Sequence, residues 1–183
     1  SKNIKTGNMA SMWILNADIK PTEASKQGED ASVCGVCKHR AVNKGACYVT
    51  LHHAPLAVYK AYKRGNYPIT NDMTIFEGMK VRFGAYGDPS AIPTQILASI
   101  KAVVKNNTSY THQWKQGDKI LKQVSMASVD SIAEQKQAVL EGWRTFRVTS
   151  DLSDKLPNEI VCPNTTKAIQ CADCGLCSGT SIR

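Results

Sequence analysis

Apolar residues recur along the chain with two spacings, one typical of strands and one typical of helices. Short apolar or alternating stretches predict strands at residues 10–17, 79–84, 110–114, 124–129, 143–148 and 158–161. Helical spacing predicts helices from Pro55 to Gly65, from Pro93 to about residue 106, and from Ser131 to Glu141. The last of these helices begins with the Ser-x-x-Glu spacing of a capping box. The polar residues 20–32 predict a loop.

Strands that alternate with helices predict βαβ units and a mainly parallel sheet. Five or six such units cannot close an eight-stranded barrel, which normally takes about 250 residues. We therefore expect an α/β fold, an open partial (βα) barrel of about five to six parallel strands with a cysteine-rich C-terminal extension. No linker or repeat divides the chain, so residues 1–183 are predicted to form a single α/β domain, with a C-terminal metal-cluster segment at residues 162–183.

The seven cysteines fall into two groups near the two ends of the chain. The front group is Cys34, Cys37 and Cys47. The tail group is Cys162, Cys171, Cys174 and Cys177. Because C-x2-C spacing brings thiolates onto one soft metal centre, the sequence predicts two metal sites. Three protein ligands leave one coordination position open, whereas four close a site, so the front group has the more reactive arrangement.

Two 4Fe-4S clusters are the favoured occupants, and zinc is the alternative metal. The tail run CADCGLC, together with Cys162-Pro163, is closer to bacterial ferredoxin ligation than to a zinc ribbon. A closed zinc site at the front group needs a fourth ligand, for which His39, His52 and His53 are near in sequence. Disulfides are disfavoured because the cysteine count is odd and the first residues, SKNIKTGN, do not predict a secretory signal peptide.

The formal net charge of +8 widens the range of expected partners. A basic excess attracts phosphate groups, so nucleic acid is a candidate partner, although the same charges also fit an ordinary solvated surface. No apolar run approaches the roughly 18 residues that a membrane span needs, so we expect no membrane partner. The number of free thiols predicts a reducing compartment, hence a cytoplasmic location.

Three motifs occur in an order that resembles the radical S-adenosylmethionine superfamily. The cysteine loop follows the first predicted strand, and Cys47 is followed by the aromatic Tyr48. The next strand ends in Phe83-Gly-Ala-Tyr-Gly-Asp-Pro89, which is similar to the family's Gly-Gly-Glu-Pro turn. Residues 124–130, VSMASVD, resemble the family's fourth strand with its serine and aspartate. The cysteine spacing, C-x2-C-x9-C, differs from the family's C-x3-C-x2-C.

The resemblance implies a role for each of these residues. The front group would hold a 4Fe-4S cluster whose open iron binds S-adenosylmethionine, and Tyr48 would lie beside the adenine. Gly87 and Asp88 would meet the amino group of the cofactor's methionine moiety, and Ser128 would bind its ribose or carboxylate. The tail group would match the auxiliary clusters that many members carry. Such a protein also needs a reductant and a substrate, and the sequence does not identify the substrate.

The chain also resembles uncharacterised cysteine-rich phage and plasmid proteins that share its THQW, MASVDS and CADCGLC motifs. That resemblance implies the cytoplasm of a host cell. His112 and Asp130, in the first two motifs, are the candidate catalytic residues, because polar groups at the ends of central strands are expected to face a cavity. The sequence leaves open whether the protein is an enzyme. The alternatives are a non-catalytic metal-stabilised module that binds nucleic acid or a phage or host protein, and a small electron carrier.

Overall fold

Short parallel strands connected by helices form the framework of the protein. The computed structural model describes residues 3–180, with strands β1 (Ala10–Trp13), β2 (Lys80–Tyr86), β3 (Asn106–Thr108), β4 (Tyr110–Thr111), β5 (Met126–Val129) and β6 (Thr145–Arg147). One parallel sheet has the order β1-β2-β3 and a second has the order β4-β5-β6. The predicted α/β class with parallel strands is confirmed, and within the described residues neither sheet is closed. The ends of the predicted ranges, residues 1–2 and 181–183, lie outside the described residues.

The helices are short and mostly lie between successive strands. They are α1 (Pro21–Gln27), α2 (Ala31–Cys34), α3 (Ala54–Lys63), α4 (Thr94–Val103), α5 (Lys119–Val124), α6 (Ile132–Leu140), α7 (Pro163–Lys167) and α8 (Cys171–Cys174). The predicted Ser131 cap of α6 is confirmed, because Glu134 N donates to Ser131 Oγ over 3.1 Å; the Glu134 side chain accepts from Asp130 N over 3.0 Å, one residue before the cap, and not from Ser131 N as in a full capping box. No helix within residues 3–180 combines the length and the apolarity needed to cross a membrane.

A single residue, Ser109, separates the two sheets along the chain. Its N–H donates to Cys177 O over 2.8 Å, and its carbonyl accepts from Met126 N over 3.0 Å. The side chain of Ser109 is buried and shares a hydrogen bond with the Ser125 hydroxyl over 2.6 Å. The cysteine-rich tail is therefore bound to the backbone at the point where one sheet ends and the next begins.

The hydrophobic core lies between the strands and helices α4 to α6. Val81 and Phe83 of β2 belong to the same buried cluster as Leu97 and Ile100 of α4. Side chains of this size each stabilise the fold by roughly 1.5–3 kcal/mol when they are removed from water. The cluster continues through the second sheet with Leu121, Val124, Ala127, Val129, Ala138 and Trp143. This continuous core fixes β2, β4 and β5, whose carboxyl ends carry the candidate site.

Most of the predicted strands and helices are present, whereas five short helices and one strand were not predicted, namely α1, α2, α5, α7, α8 and β3. The predicted loop at residues 20–32 is wrong, because it contains α1 and the first half of α2; α1 buries only Pro21, Ala24 and Ser25, so its sequence is mostly polar. The strand predicted at residues 158–161 is also wrong. That segment is attached through the side chain of Glu159, which accepts from Arg147 Nε on β6 over 2.7 Å, rather than through a backbone ladder.

Candidate metal centres

The front group lies on the loop that leaves α2, beside the turn that ends β2. Cys34 is the last residue of α2, and the other two cysteines follow in the loop. Asp88 N in the β2 turn donates to Val33 O over 2.7 Å, which holds the turn and the loop together. Ligand sites in parallel sheets form where loops leave the carboxyl ends of strands. The front group is therefore at the edge where the sequence predicts a site.

The thiols of the front group are close enough to influence one another's ionisation. Burial, together with the smaller effects of the charges of Asp30, Cys47 and Cys37, raises the pKa of the Cys34 thiol to about 12. Burial also raises the pKa of Cys37. Both thiols therefore keep their protons at neutral pH unless a cation joins them. A metal ligated here must displace those protons, so its binding is coupled to proton release.

Gln113 holds the backbone between the first two cysteines of the front group. Its Nε2 donates to Cys34 O over 3.2 Å, and its Oε1 accepts from Val36 N over 3.4 Å. Gly35 lies directly against this amide with a φ of +60°, and a Cβ there would be 2.5 Å from Gln113 Cδ. Only glycine fits this close approach at a left-handed backbone position. The Cys34–Cys37 loop is thus fixed from the end of β4.

The Gly87-Asp88 turn is fixed by hydrogen bonds to its own aspartate. The Asp88 side chain, which is only 6% exposed, accepts from Ser90 N (3.0 Å), Thr111 Oγ1 (2.7 Å) and His112 N (2.8 Å). Because an ionised carboxylate offers about four lone-pair positions, one position remains on Oδ2.

The two candidate catalytic residues come together beside the front group. Asp130 Oδ1 is 2.8 Å from His39 Nε2, and Asp130 Oδ2 is 3.0 Å from Lys38 Nζ. Burial opposes ionisation of Asp130, but hydrogen bonds from His39 and Lys38 outweigh it and lower the pKa. The ring of His112 meets the ring of His39 edge-on, with centroids 5.5 Å apart. Burial lowers the pKa of His112, so its imidazole is neutral at pH 7.

The remaining predicted cofactor residues differ in exposure. Tyr48 is 77% exposed, and its hydroxyl accepts from Arg82 Nη2 of β2 over 2.9 Å. Ser128 is buried in β5, between Ala127 and Val129 of the core cluster. Because successive side chains of a strand point to opposite faces, Ser128 faces away from that core. His52 and His53, predicted as alternative fourth ligands, are exposed, and their rings meet edge-on with centroids 4.5 Å apart.

The tail group is fastened to the first described residues and to the middle of the chain. Cys162 precedes α7, Cys171 and Cys174 begin and end α8, and Cys177 follows. Backbone hydrogen bonds run from Cys171 N to Lys5 O (3.0 Å), from Ala172 N to Thr6 O (2.9 Å) and from Gly179 N to Val124 O (3.1 Å). These bonds and the one from Ser109 to Cys177 place the tail group against the first residues and against the boundary between the sheets.

The four tail thiols also act on one another electrostatically. Burial raises the pKa of Cys177, and the charges of the other three tail cysteines raise it further. Burial raises the pKa of Cys171 as well, opposed chiefly by the positive charge of Arg82. Arg82 therefore lies close to the tail group while it binds Tyr48, the neighbour of a front-group cysteine. Arg82 of β2 is therefore near both cysteine groups: it contacts Tyr48 at the front group, and its charge acts on Cys171 of the tail group.

The two cysteine groups supply only thiol donors, and their placement bears on whether they could share a metal. All seven cysteines are free thiols, so no disulfide joins the described cysteines. No three His, Cys, Asp or Glu side chains among residues 3–180 are placed so that they could hold a metal ion together. The hydroxyl of Tyr86, beside Cys34, is buried without a hydrogen-bond partner in the described part of the chain. Cysteine thiolates are the usual ligands of iron–sulfur clusters, but among residues 3–180 these thiols are not arranged around a common metal position.

Several residues of the site carry no signal in the sequence. Gln113, Arg82 and Tyr86 each lie far along the chain from the cysteines they adjoin, and no spacing rule connects them. The sequence predicts His39 as a possible metal ligand, but its Nε2 is hydrogen-bonded to Asp130.

Comparisons of the chain with protein-family models, with curated proteins and with solved structures found no match.

Proposed function

We propose that the chain is an iron–sulfur protein with two 4Fe-4S clusters, and that the cluster on the front group binds S-adenosylmethionine for radical chemistry. The observation that carries the proposal is the convergence of the front group, the Gly87-Asp88 turn and the His112–Asp130 pair at one edge of the parallel strands. Three thiolates leave an iron open to the cofactor's amino and carboxylate groups. Reduced by an external reductant, the cluster supplies the electron that cleaves the cofactor's sulfonium.

The strand order supports an open partial barrel as the scaffold for this site. All strands are parallel, and each sheet follows the chain in order. Only Ser109 separates β3 from β4, and its carbonyl bonds to the first residue of β5. In this proposal the two sheets are one curved surface with a bend at Ser109. The concave face of that surface carries the front group at its carboxyl edge.

In this proposal the chain's own residues bind and orient the cofactor, and His112 takes or delivers a proton. The free lone pair of Asp88 accepts from the cofactor's ammonium group, Tyr48 covers the adenine, and Ser128 binds the ribose or the carboxylate. His112 is neutral at pH 7, so its imidazole can take a proton from a substrate or deliver one through its ring nitrogens. The nearby Asp130 holds His39 through Nε2 and thereby fixes the histidine that packs on His112.

The tail group acts in this proposal as the auxiliary site that pins the C-terminal segment to the sheets. A structural metal site adds its binding free energy to folding, on the order of 10 kcal/mol in small domains. Because hydrogen bonds join the tail to Thr6, Ser109 and Val124, a metal held there would also stabilise the first residues and the boundary between the sheets.

A metal-stabilised module that binds nucleic acid is the second candidate, and one exposed segment favours it. Residues 54–71 contain no acidic residue. Their exposed side chains include two tyrosines and three basic residues, Tyr62, Tyr67, Lys60, Lys63 and Arg64. Aromatic and basic side chains on one surface suit stacking on bases and contact with phosphates. Elsewhere the basic excess is partly consumed, because Lys38 and Arg40 pair with Asp130 and Asp30.

Anaerobic purification with iron and sulfide analysis separates the two candidates. The proposed enzyme is brown, contains iron and sulfide for two clusters, and loses the front cluster in Cys37→Ala and the tail cluster in Cys174→Ser. With dithionite, added S-adenosylmethionine should change the front cluster's electron paramagnetic resonance spectrum, and 5′-deoxyadenosine should be released. A colourless protein with stoichiometric zinc would overturn the radical function. If such a protein binds labelled nucleic acid with an affinity that falls as salt rises, the module is supported.

A further inference from the structure

The segment that carries the front group has basic side chains and no acidic ones. Residues 31–71, which include all three front cysteines, contain no aspartate or glutamate. The basic residues of this segment are Lys38, Arg40, Lys44, Lys60, Lys63 and Arg64. Lys38 pairs with Asp130 and Arg40 with Asp30, whereas in the described part of the chain no carboxylate lies within ion-pair distance of the other four. The segment therefore presents a positively charged surface.

Three of these basic residues form a stripe on α3. Lys60 and Lys63 lie one turn apart in the last part of the helix, and Arg64 follows at its end. Residues spaced by three and four positions lie on the same side of a helix. All three side chains are exposed, while the residues that α3 buries are Pro55 and Tyr59. The basic stripe is therefore open to a partner.

Hydrogen bonds place α3 at the edge of the sheet where the front group lies. Tyr59 Oη donates to Asp18 O over 3.0 Å, and Lys63 Nζ donates to Ala17 O over 3.3 Å. Both carbonyls belong to the segment that follows the carboxyl end of β1. Because β1 and β2 are parallel, their carboxyl ends lie at one edge, which is also the edge of the β2 turn beside the front group.

Exposed aromatic rings accompany the basic stripe. Tyr62 of α3 is 43% exposed, and Tyr67, in the exposed segment that follows, is 50% exposed. Aromatic side chains stack on unpaired bases, and basic side chains beside them contact the phosphates of the strand. In a duplex the faces of the bases are already covered by neighbouring bases. The combination of rings and charges therefore fits a single strand better than a duplex.

We propose that this surface binds single-stranded nucleic acid and that the substrate of the front-group site is a nucleotide of the bound strand. Lys60, Lys63 and Arg64 contact phosphates, and Tyr62 and Tyr67 stack on bases. Lys63 has two N–H donors left after its bond to the backbone. The binding surface is independent of any metal, whereas the assignment of the substrate rests on the proposed radical function. The surface thus serves the enzyme itself, and not only the alternative module.

The salt dependence of binding tests the phosphate contacts. Anisotropy of a labelled oligothymidylate of about 12 nucleotides measures affinity over a range of salt concentrations. Lys60→Gln combined with Arg64→Gln should reduce the slope of log affinity against log salt by about 1.4, because each phosphate contact on a single strand contributes about 0.7. Lys105→Gln combined with Lys136→Gln removes the same charge from exposed residues outside the segment and should leave the slope unchanged. Equal effects of the two pairs would overturn the surface.

Stacking is tested at one salt concentration. Tyr67→Ala should weaken binding about tenfold, because a stacked base is lost while the charge stays the same. Tyr67→Phe keeps the ring and should bind as tightly as the wild type. Oligouridylate in parallel distinguishes an RNA strand from a DNA strand, and binding of either supports the surface. Tighter binding of the same DNA annealed to its complement, or no effect of Tyr67→Ala, would overturn the single-strand assignment.

A last measurement separates this inference from the proposed function. The strand should increase the release of 5′-deoxyadenosine by the reduced, iron-loaded protein, and the Lys60→Gln/Arg64→Gln variant should lose that increase while it keeps its iron. Release that a bound strand does not change overturns the substrate assignment. An iron-loaded protein that binds no single strand overturns the whole inference and leaves the iron–sulfur function standing. A protein without iron that binds the strand through this surface overturns the radical function and supports the surface.

Discussion

Replacing Asp88 by alanine should destabilise the protein far more than the loss of an ordinary turn residue. The carboxylate accepts from two backbone N–H groups, those of Ser90 and His112, and from the Thr111 hydroxyl. The Thr111 side chain is fully buried, so its hydroxyl loses its acceptor in a place that water enters poorly. At about 1–1.5 kcal/mol for each lost bond, the expected loss is about 3–5 kcal/mol. Domains are typically stable by only about 5–15 kcal/mol, so the variant should be close to unfolding.

Urea denaturation of the full chain measures this loss as a change in midpoint at constant slope. Asp72→Ala is the matched control. Asp72 also accepts from a backbone N–H and a hydroxyl, Thr74 N at 2.9 Å and Thr74 Oγ1 at 2.6 Å, but it is exposed. The control should lose much less stability. Asp88→Asn should fall between the two, because its amide oxygen can still serve Ser90 and Thr111 while its NH2 group faces the His112 N–H.

A refuting result is easy to recognise. If Asp88→Ala and Asp72→Ala shift the midpoint equally and leave the slope unchanged, the Asp88 carboxylate does not connect the β2 turn to β4. The role of Asp88 would then be limited to binding a ligand. If Asp88→Ala unfolds only the metal-free protein, then the bound metal, and not the Asp88 carboxylate, provides this part of the stability.

Three further predictions test other parts of the molecule. Arg147 lowers the pKa of Glu159 from 4.5 to about 2, so this carboxylate stabilises the fold above pH 4.5 and loses that effect as the pH falls toward 2. Glu159→Gln should therefore lower the melting temperature at pH 7 and leave it unchanged near pH 2. Gln113→Leu should release iron from the front group alone, because it frees the backbone between Cys34 and Cys37; equal loss from both clusters would contradict this. Cys174→Ser should lower metal content and melting temperature together, and an unchanged value of both would count against a metal-stabilised tail.

The sequence was sufficient to predict those strands and helices whose formation depends on short-range residue patterns. Val81, Phe83 and Ala85 alternate with polar residues and identify β2, and Ser131 with Glu134 identifies the start of α6. The polar sequence of α1 gave no such signal, since a surface helix that buries one edge needs few apolar residues.

Contacts between distant residues were not predictable from spacing. The bond between His39 and Asp130 joins residues 91 apart in the chain, and the bond between Gln113 and Cys34 joins residues 79 apart. Both depend on which strands lie side by side, and only the structure provides that order. The candidate residues His112 and Asp130 were named from the sequence, but their connection through His39 and Lys38 was not.

The attachment of the tail to the first residues has a consequence for the order of folding. Gln170 Nε2 bonds to Ile4 O across a separation of 166 residues, next to the backbone bonds made by Cys171 and Ala172. Closing a loop costs more entropy as it lengthens, by about 0.6 kcal/mol for each doubling, and such contacts form after the local ones. The tail cysteines therefore meet their neighbours only when the strands between them are already assembled. Incorporation of metal at the tail would then mark molecules that have completed folding, and its time course would report the final step.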